Sequence, residues 1–255
     1  MKSPSRGAAP SSNASPAAER SAFLGVPLYL SKRKPDAPGG DPTLVGADPQ
    51  VIAAARLAAS WLLWYPDDAL FAKLSDIAAV VAELPPAVAE PIDAFLDHVA
   101  QTDEVALQKH FVEVFDLKRR ACPFLTYWTD GDTRNRGQAI LRFKQAYIAA
   151  GFALDDRELA DHLAVVLEFA AVGDRLTGDA LLAEHAAAIG LLRAALQELS
   201  SPYAHVLEAV VATLPPPSKK LRARMAEMAR SGPPVEEVGL EPFGVRGGSR
   251  EGALA

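Results

Sequence analysis

The residues best suited to chemistry are concentrated in one string, YWTDGDTRNRG, at positions 127–137. Its two aspartates, Asp130 and Asp132, are separated by a single glycine. Paired aspartates of this kind can transfer phosphoryl groups beside magnesium, one attacking phosphorus while the other handles protons. That chemistry needs a strand of valine and isoleucine before the first aspartate and a suitable residue two places after the second. The sequence before Asp130 does not have this strand pattern, and Arg134, which does not suit the role, stands two places after Asp132. The closing glutamate of an EF-hand loop is also missing, so neither a phosphatase nor a calcium site is predicted.

Histidine and cysteine form no pattern of a metal site or a nucleophile. No two of the five histidines stand three or four residues apart, the helical spacing that aims two imidazoles at one metal. Cys122 is the only cysteine, so an internal disulfide is impossible, and the sequence places no basic partner beside it. We therefore predict no enzyme activity, no metal and no cofactor. A helical hydrolase that uses Asp130 and Asp132 with magnesium stays open as an alternative.

The same string has two structural interpretations. In the first it is a turn followed by a helix, with Asp132 or Thr133 as the N-cap. Arg134 and Arg136 would then lie in the first helical turn, where the helix dipole disfavours cations. In the second interpretation the string is a rigid recognition corner. Its loop-ordering residues are then Gly131, Thr133, Arg134 and Arg136.

A second polar string, DRELADHLAVVLEFAAV at 156–172, lies on a predicted helix. Glu158 and His162 stand four residues apart on one face. Asp161 and Glu168 stand seven apart on an adjacent face. These polar residues can form a solvated surface with a satisfied histidine, or the polar rim of an apolar groove that binds a peptide. In the second case we expect the two strings to share one concave surface.

Apolar residues recur at helical spacing through most of the chain, while no sustained period-two pattern indicates a strand. The sequence therefore predicts an all-α protein, a single compact bundle of about eight helices with short loops. Residues 1–47 are predicted to be a disordered extension, 48–231 the helical domain and 232–255 a flexible tail. The segment 117–133 breaks the periodicity and is predicted to be a loop. The predicted helices cover about 49–64, 67–81, 86–100, 103–116, 133–150, 156–172, 178–199 and 203–214, followed by a basic helix over 218–230.

Charge is distributed unevenly along the 255 residues. The net charge is −6, yet residues 48–217 alone carry 13 basic and 24 acidic side chains, a net of −11. Such a body repels a phosphate backbone and attracts a basic peptide, so nucleic acid is not a predicted partner. The basic helix SKKLRARMAEMAR at 218–230 keeps one alternative open, a regulatory binding module that contacts DNA or anionic lipid.

No apolar run approaches the roughly 20 residues of a transmembrane helix. The longest run near the N-terminus, AFLGVPLYL at 22–30, is followed by basic residues rather than by a small-residue cleavage site. Together with the single cysteine, these features predict a cytoplasmic protein without a transmembrane segment.

Four longer strings share one resemblance. They are WLLWYPDD (61–68), HFVEVFDLKRRACPFLTYWTDGDTRNRG (110–137), LRFKQAYIAAGF (141–152) and DHLAVVLEFAA (161–171). In this order and at these distances they resemble the delta-subunit (NarJ-type) chaperones of respiratory nitrate reductase, part of a wider group of all-helical chaperones for molybdenum redox enzymes. The tail EVGLEPFG at 237–244 is also similar. One departure is that Ala160 and Ala164 stand where the family often has proline, which predicts a more continuous sixth helix.

The resemblance implies a non-catalytic assembly factor with no cofactor of its own. It would bind the apo catalytic (alpha) subunit of nitrate reductase through that subunit's N-terminal segment. It would hold the subunit until the molybdenum cofactor and an iron–sulfur cluster are inserted, and it would be absent from the mature enzyme. Cofactor-delivery proteins would be further partners, and a related chaperone for another molybdenum oxidoreductase is the alternative. The residues predicted to contact the client are Tyr127, Trp128, Asp130, Asp132, Asp161, His162 and Glu168.

Overall fold

A computed structural model of the protein describes residues 30–32, 48–154 and 157–234. Of the predicted disordered extension over 1–47, only Leu30–Lys32 falls inside these ranges. The predicted flexible tail over 232–255 lies outside them after Pro234. Both predictions therefore stay predictions.

Eleven α-helices make up most of the described residues, so the predicted all-α class is confirmed. A π-helical turn, Val112–Asp116, continues the fourth helix, and a short 3-10 turn, Arg119–Ala121, follows it. In chain order the α-helices are α1 (Pro49–Leu62), α2 (Asp68–Val81), α3 (Pro86–Ala100), α4 (Glu104–Phe111), α5 (Leu125–Asp130), α6 (Asn135–Ala149), α7 (Leu163–Val172), α8 (Arg175–Glu184), α9 (Ala186–Glu198), α10 (Tyr203–Ala212) and α11 (Lys219–Ser231).

Two three-residue strands form a small antiparallel ribbon that the sequence pattern did not reveal. The strand β1 (Leu30–Lys32) pairs with β2 (Phe152–Leu154), with Leu30 opposite Leu154. Segments of three residues are too short to show a period-two pattern, which is why no strand was predicted. The ribbon ties a piece of the N-terminal region to the segment that follows α6.

Aspartate and serine side chains set where several helices begin. Asp48 accepts a hydrogen bond from the Gln50 N–H (2.9 Å), and Asp67 accepts one from the Ala69 N–H (3.1 Å). These caps satisfy backbone N–H groups that the first helical turn leaves without partners. They account for the agreement between the predicted and observed starts of α1 and α2. The same N-cap role is played by Asp103, Asp174 and Ser218.

The core is centred on α1 and α7, which pack directly against each other. Small residues of α1, such as Ala55 and Ala59, permit this close approach. Ser60 Oγ also donates a hydrogen bond to the Ala164 carbonyl (2.8 Å). Every residue over 163–170 is buried, so this part of α7 has no solvated face, and a helix that is apolar on most sides belongs in a core.

The segment predicted as one helix over 156–172 is helical only from Leu163. His162 precedes the helix with extended backbone, and its Nδ1 accepts a hydrogen bond from the Ala164 N–H (3.2 Å). The imidazole therefore acts as the N-cap and fixes the start of α7. The prediction that alanine at positions 160 and 164 makes this helix more continuous is wrong, because the His162 cap makes the helix begin at Leu163.

The helix predicted over 178–199 is two helices, α8 and α9, separated at His185. His185 departs from helical geometry (φ −100°, ψ 12°), and its ring lies 5.1 Å from the ring of Phe143 between centroids. This buried contact holds the ring at the junction of two segments whose apolar spacing is continuous in the sequence. Helix α8 also begins earlier than predicted, at Arg175, because the Asp174 side chain caps it.

Candidate functional site

The segment predicted as a loop over 117–133 contains helix α5, so this prediction is wrong. The helix carries Tyr127 and Trp128, and each residue is 6% exposed. Trp128 Nε1 donates a hydrogen bond to the Cys122 carbonyl (3.4 Å). A helix of six residues has fewer than two turns, which is too few for apolar spacing to stand out in the sequence.

The two polar strings meet in space, as expected for a shared surface. The Leu125 N–H donates to the Asp161 carbonyl (3.0 Å), and the Leu163 N–H donates to the Pro123 carbonyl (3.0 Å). The Asp161 carboxylate also accepts two hydrogen bonds from Thr126, through its N–H (3.2 Å) and its Oγ1 (2.5 Å). Helix α5 is therefore anchored on the segment that leads into α7.

The polar rim predicted from Asp161 and Glu168 is wrong, because both carboxylates are fully buried. Asp161 Oδ1 has no hydrogen-bond partner among the described residues, and Arg136 Nη2 lies 4.0 Å from Oδ2. Burial raises the pKa of Tyr147 well above its usual value, and the nearby charges of Asp161 and Glu168 raise it further. In this conformation neither carboxylate can touch a client.

His162 is 5% exposed and lies between the core and the surface. Burial lowers the pKa of His162 to about 4, so the ring is neutral at physiological pH. Since Nδ1 accepts from the Ala164 N–H, the neutral ring carries its proton on Nε2. The ring packs against Phe124 in a T-shaped arrangement, with 5.2 Å between centroids.

Arg136 connects the buried and exposed parts of the corner. Its guanidinium lies over the ring of Phe124 (5.4 Å to the centroid) and near that of Tyr127 (6.0 Å). Arg136 Nη1 is 3.6 Å from Asp132 Oδ1, while Nη2 faces the buried Asp161 on the other side. This position accounts for a cation at the start of α6, where the helix dipole disfavours it. The geometry suits the loop-ordering role predicted for Arg136.

Asp132 also receives a second guanidinium. Arg119 Nη2 donates to Asp132 Oδ2 (2.9 Å), and Arg119 Nε donates to Tyr127 Oη (3.1 Å). The hydrogen bond to Tyr127, and then the one to Asp132, raise the pKa of Arg119 above its usual value. The exposed end of the corner is thus a network of one carboxylate and two guanidiniums.

The predicted N-cap of α6 is wrong. The helix begins at Asn135 after Arg134, and no side chain caps it. Thr133 Oγ1 instead donates to the Asp130 carbonyl at the end of α5 (2.7 Å), while Asp130 Oδ2 accepts from Thr129 Oγ1 (2.6 Å). The threonine hydroxyl therefore closes the turn between two helices. Threonine side chains make both kinds of hydrogen bond, so the residue type alone could not show that this bond would form instead of the N-cap.

Gly131 ends α5 in a conformation that favours glycine, with φ +62°. Its N–H donates to the Tyr127 carbonyl (2.9 Å). A Cβ atom at this position would overlap the carbonyl group of Pro234, which packs directly on the turn. Both the backbone angle and the close approach of the C-terminal segment require glycine here.

An open groove runs along this corner. It consists of two cavities that share Phe115, Asp116 and Phe124 in their walls. The first, which we call the aromatic section, has a volume of about 210 Å³. The second, the basic section, has a volume of about 420 Å³. Together they provide room for a few side chains of a polypeptide rather than for one enclosed small molecule.

The aromatic section is built by residues that are far apart in the sequence. Asp116 and Glu158 are the carboxylates in its wall. Burial raises the pKa of Glu158, and the charges of Asp161 and Asp116 raise it further. The rings that line the section are those of Trp64, Tyr65, Phe111, Phe115, Phe124 and His162.

The basic section holds three cations, Lys118, Arg119 and Arg136, against the carboxylates of Asp116 and Asp132. Its apolar surface comes from the two rings that it shares with the aromatic section, from Tyr127, from Leu159 and from the half-buried Cys122. Burial raises the pKa of the Cys122 thiol.

The structure sorts the predicted client contacts into two groups. Tyr127, Asp132 and His162 line the groove. Trp128, Asp130, Asp161 and Glu168 line neither section. Sequence reasoning missed the two rings that both sections share, Phe115 and Phe124, and the carboxylate Asp116 as groove residues. It had named Glu158 only as part of the polar rim, not among the client contacts. The strings WLLWYPDD and HFVEVFD held part of this signal, because aromatic residues are concentrated in both.

Within the described ranges, no group of three or more histidine, cysteine, aspartate or glutamate side chains is arranged to hold a metal ion. Among the same residues no helix combines the length and the apolar character needed to cross a membrane.

The fold and the groove define a class of protein: an all-helical body with an open, aromatic surface groove edged by charges. Residues 81–209 match the family described as nitrate reductase delta subunit. This match covers half of the chain, and the protein belongs to that family.

Three relatives illustrate the similarity. The chain is 31% identical over 180 residues to the nitrate reductase molybdenum cofactor assembly chaperone NarJ of Escherichia coli strain K12, covering 69% of this chain and 76% of the relative. It is 31% identical over 158 residues to NarJ of Bacillus subtilis, covering 62% of this chain and 86% of the relative. It is 38% identical over 155 residues to the nitrate reductase-like protein NarX of Mycobacterium tuberculosis. That match covers 61% of this chain but only 23% of the length of NarX.

Proposed function

We propose that this protein is a non-catalytic chaperone for the catalytic (alpha) subunit of a respiratory nitrate reductase. It binds the N-terminal segment of the apo subunit in the groove and holds that subunit ready for insertion of the molybdenum cofactor and an iron–sulfur cluster. It works in the cytoplasm, and it leaves before the enzyme is mature. The observation that carries the proposal is the aromatic groove with carboxylates at its edge, in a chain whose relatives include a named nitrate reductase assembly chaperone.

The aromatic section supplies the binding energy. Apolar client side chains that enter between Trp64, Phe115 and Phe124 leave water, and each buried side chain contributes about 1.5–3 kcal/mol. The rings of Trp64 and Phe124 are partly exposed, so a client side chain can reach them from solvent. This favours a site that accepts a short segment rather than a folded surface.

The carboxylates supply the orientation. Asp116 and Glu158 stand in the wall of the aromatic section, where a client lysine or arginine would meet them beside the rings. The net charge of −11 over residues 48–217 attracts a basic segment from a distance. The Nε2–H of His162 in the same wall is a neutral donor for a client carbonyl group.

Of the residues predicted from the sequence to contact the client, we propose direct contacts for Tyr127, Asp132 and His162. Asp161 and Glu168 are buried, and we propose that they hold the corner in place. Trp128 supports the corner through the Cys122 carbonyl, and Asp130 supports it through Thr129. We propose that Gly131, Thr133, Arg134 and Arg136 order the loop, as predicted from the sequence.

A chaperone of this kind acts through differential binding. A ligand with equal affinity for two states of its partner shifts nothing, so the groove must bind the unfilled client more tightly than the filled one. An N-terminal segment that is accessible before cofactor insertion and packed away afterwards would produce this difference without any catalytic step.

The experiment is a titration of a fluorescently labelled peptide, taken from the N-terminus of the nitrate reductase catalytic subunit, followed by anisotropy. We expect saturable binding to the wild-type chain. The double variant Asp116→Asn/Glu158→Gln keeps the shapes of both side chains but removes their charges. We expect the dissociation constant to rise about tenfold, because a charged hydrogen bond contributes about 1.5–3 kcal/mol.

The control variant is Glu90→Gln/Asp93→Asn on the exposed face of α3, which removes the same charge away from the groove. Equal affinities for the groove variant and the control would show that the segment binds elsewhere. A wild-type chain that does not bind the peptide at all would contradict the proposed client. Tighter binding of the N-terminal peptide of another molybdenum oxidoreductase would favour that enzyme as the client.

A further inference from the structure

The C-terminal segment of the described chain ends at the groove. Helix α11 is held on the body by Met225, which packs so closely on Gly190 of α9 that a Cβ atom at position 190 would overlap it. The chain then turns at Gly232 (φ +70°). The Pro234 carbonyl packs against Gly131, the residue before Asp132 in the wall of the basic section. Whatever follows Pro234 therefore starts beside the basic section.

The basic section is the part of the groove whose charge opposes that of the protein body. Lys118 and Arg119 are exposed, and Arg136 lies deeper, with 19% of its side chain exposed. Phe115, Phe124 and the partly exposed Leu159 (41%) add apolar surface between these cations. This combination suits a segment that carries acidic and apolar residues, whereas a basic client segment suits the aromatic section.

The residues that follow Pro234 have this composition. The sequence VEEVGLEPFGVR at 235–246 contains three glutamates, Glu236, Glu237 and Glu241, and only one cation. Its apolar residues include Leu240 and Phe243. Phe243 lies nine positions after Pro234, and an extended chain of that length spans up to about 30 Å. The segment can therefore reach every part of the basic section from its starting point.

We propose that residues 235–244 bind in the basic section as an intramolecular ligand. The glutamates would pair with Lys118 and Arg119, and Leu240 and Phe243 would cover the apolar surface around Cys122. A segment tethered next to its site has an effective concentration in the millimolar range, so even weak contacts keep it bound. This inference goes beyond the proposed function, because it concerns the chain alone and needs no client.

The two sections share Phe115 and Phe124, so occupation of one affects the other. A client segment that reaches past the aromatic section must displace the tail. The tail would then act as a competitor, and it would favour clients whose segments bind strongly enough to replace it.

Cys122 is a built-in reporter of this contact. It is the only cysteine of the chain, it is half-buried, and it lines the basic section. The experiment measures its rate of reaction with N-ethylmaleimide in the full-length chain, without any client. A tail that occupies the section about 80% of the time slows the reaction about fivefold. We therefore expect Leu240→Ser/Phe243→Ser to react about fivefold faster than the wild type, with an unchanged far-ultraviolet circular dichroism spectrum.

The matched control is Leu254→Ser, which changes an apolar residue of the same tail outside the proposed segment. It should leave the rate as in the wild type. A second measurement uses proximity: a cysteine introduced by Gly244→Cys should form an intramolecular disulfide with Cys122 under mild oxidation, and one introduced by Ala253→Cys should do so far less. The disulfide needs Cα atoms within about 7 Å, so it reports contact directly.

An equal rate for the wild type and Leu240→Ser/Phe243→Ser would overturn the proposal, and so would equal disulfide yields at positions 244 and 253. Protection of Cys122 that disappears on dilution would also overturn it, because a second copy of the chain would then be the occupant. None of these measurements contains a client, so their failure leaves the proposed function untouched. Conversely, a wild-type chain that ignores the client peptide leaves the tail contact standing.

Discussion

Arg136 lies between two aspartates, one buried in the protein and one exposed at its surface. Asp161 is fully buried and lies 4.0 Å from Arg136 Nη2, while Asp132 is 59% exposed and lies 3.6 Å from Arg136 Nη1. Both residues were predicted to bind a client, because both are acids in unusual polar strings. Their surroundings separate their roles: the buried carboxylate organises the corner, and the exposed one is available to a partner.

The physical reason for this separation is solvation. A charge in water is screened, so an exposed ion pair contributes little to stability but can exchange partners at low cost. A buried charge has lost its water, so it depends on the groups that replace that water. Asp161 is therefore the fixed support of the corner, whereas Asp132 belongs to its exposed edge, where ion pairs can exchange partners.

The largest effect is expected on the buried side. Asp161→Ala removes the acceptor of two hydrogen bonds from Thr126 and leaves Arg136 without its inner partner. We expect the free energy of unfolding to fall by about 3 kcal/mol or more, as measured by chemical denaturation. Asp161→Asn keeps one acceptor and should lose about 1–2 kcal/mol. A loss below about 1 kcal/mol for the alanine variant would mean that the buried carboxylate is not the support of the corner.

The second effect is acid sensitivity, which the buried histidine next to Asp161 confers. The pKa of His162 is about 4 in the folded state and about 6.5 when unfolded, so the unfolded chain binds a proton first as pH falls. The stabilisation from the neutral ring is complete above about pH 6.5 and is lost as pH falls through about 4, a total of about 3 kcal/mol.

The control for this prediction is His162→Asn. Asparagine can still accept the hydrogen bond from the Ala164 N–H as an N-cap, but it does not titrate. Between pH 7 and pH 4 the free energy of unfolding should therefore fall more steeply with decreasing pH for the wild type than for the variant. Parallel curves for the two proteins would show that His162 is protonated without cost, against its burial.

The smallest effect is expected on the exposed side. Asp132→Asn weakens two ion pairs at the surface, with Arg119 and Arg136. We expect the free energy of unfolding to change by no more than about 0.5 kcal/mol, and less at high salt. The measurement is the same denaturation experiment as for Asp161→Asn. If the two asparagine variants lose equal stability, the division between support and edge does not hold.

Much of the fold was predictable because its signals are local. The apolar spacing placed α1 and α2 close to their observed bounds, and in the structure the side chains of Asp48 and Asp67 cap the two helix starts. Short or interrupted elements carry weaker local signals. Helix α5 has only six residues, and the break at His185 lies inside a continuous apolar pattern, so both escaped prediction.

The candidate site was predictable only in part. The sequence indicated two polar strings that meet, and backbone hydrogen bonds between Leu125 and Asp161 and between Leu163 and Pro123 join them. It did not indicate that Asp161 and Glu168 face inward. A helix pattern assigns residues to a face, but the face that is buried depends on what packs against it, and α7 is enclosed on all sides over 163–170.

The sequence by itself determined the helical class, most helix starts and the family, because apolar periods and long shared strings are properties of neighbouring residues. Only the tertiary structure decided which acids are buried and where the groove lies. Trp64, Phe124 and Glu158 are separated by dozens of residues and meet only after folding. Burial then sets whether a carboxylate supports the protein or faces a partner, and burial is a property of the packed chain.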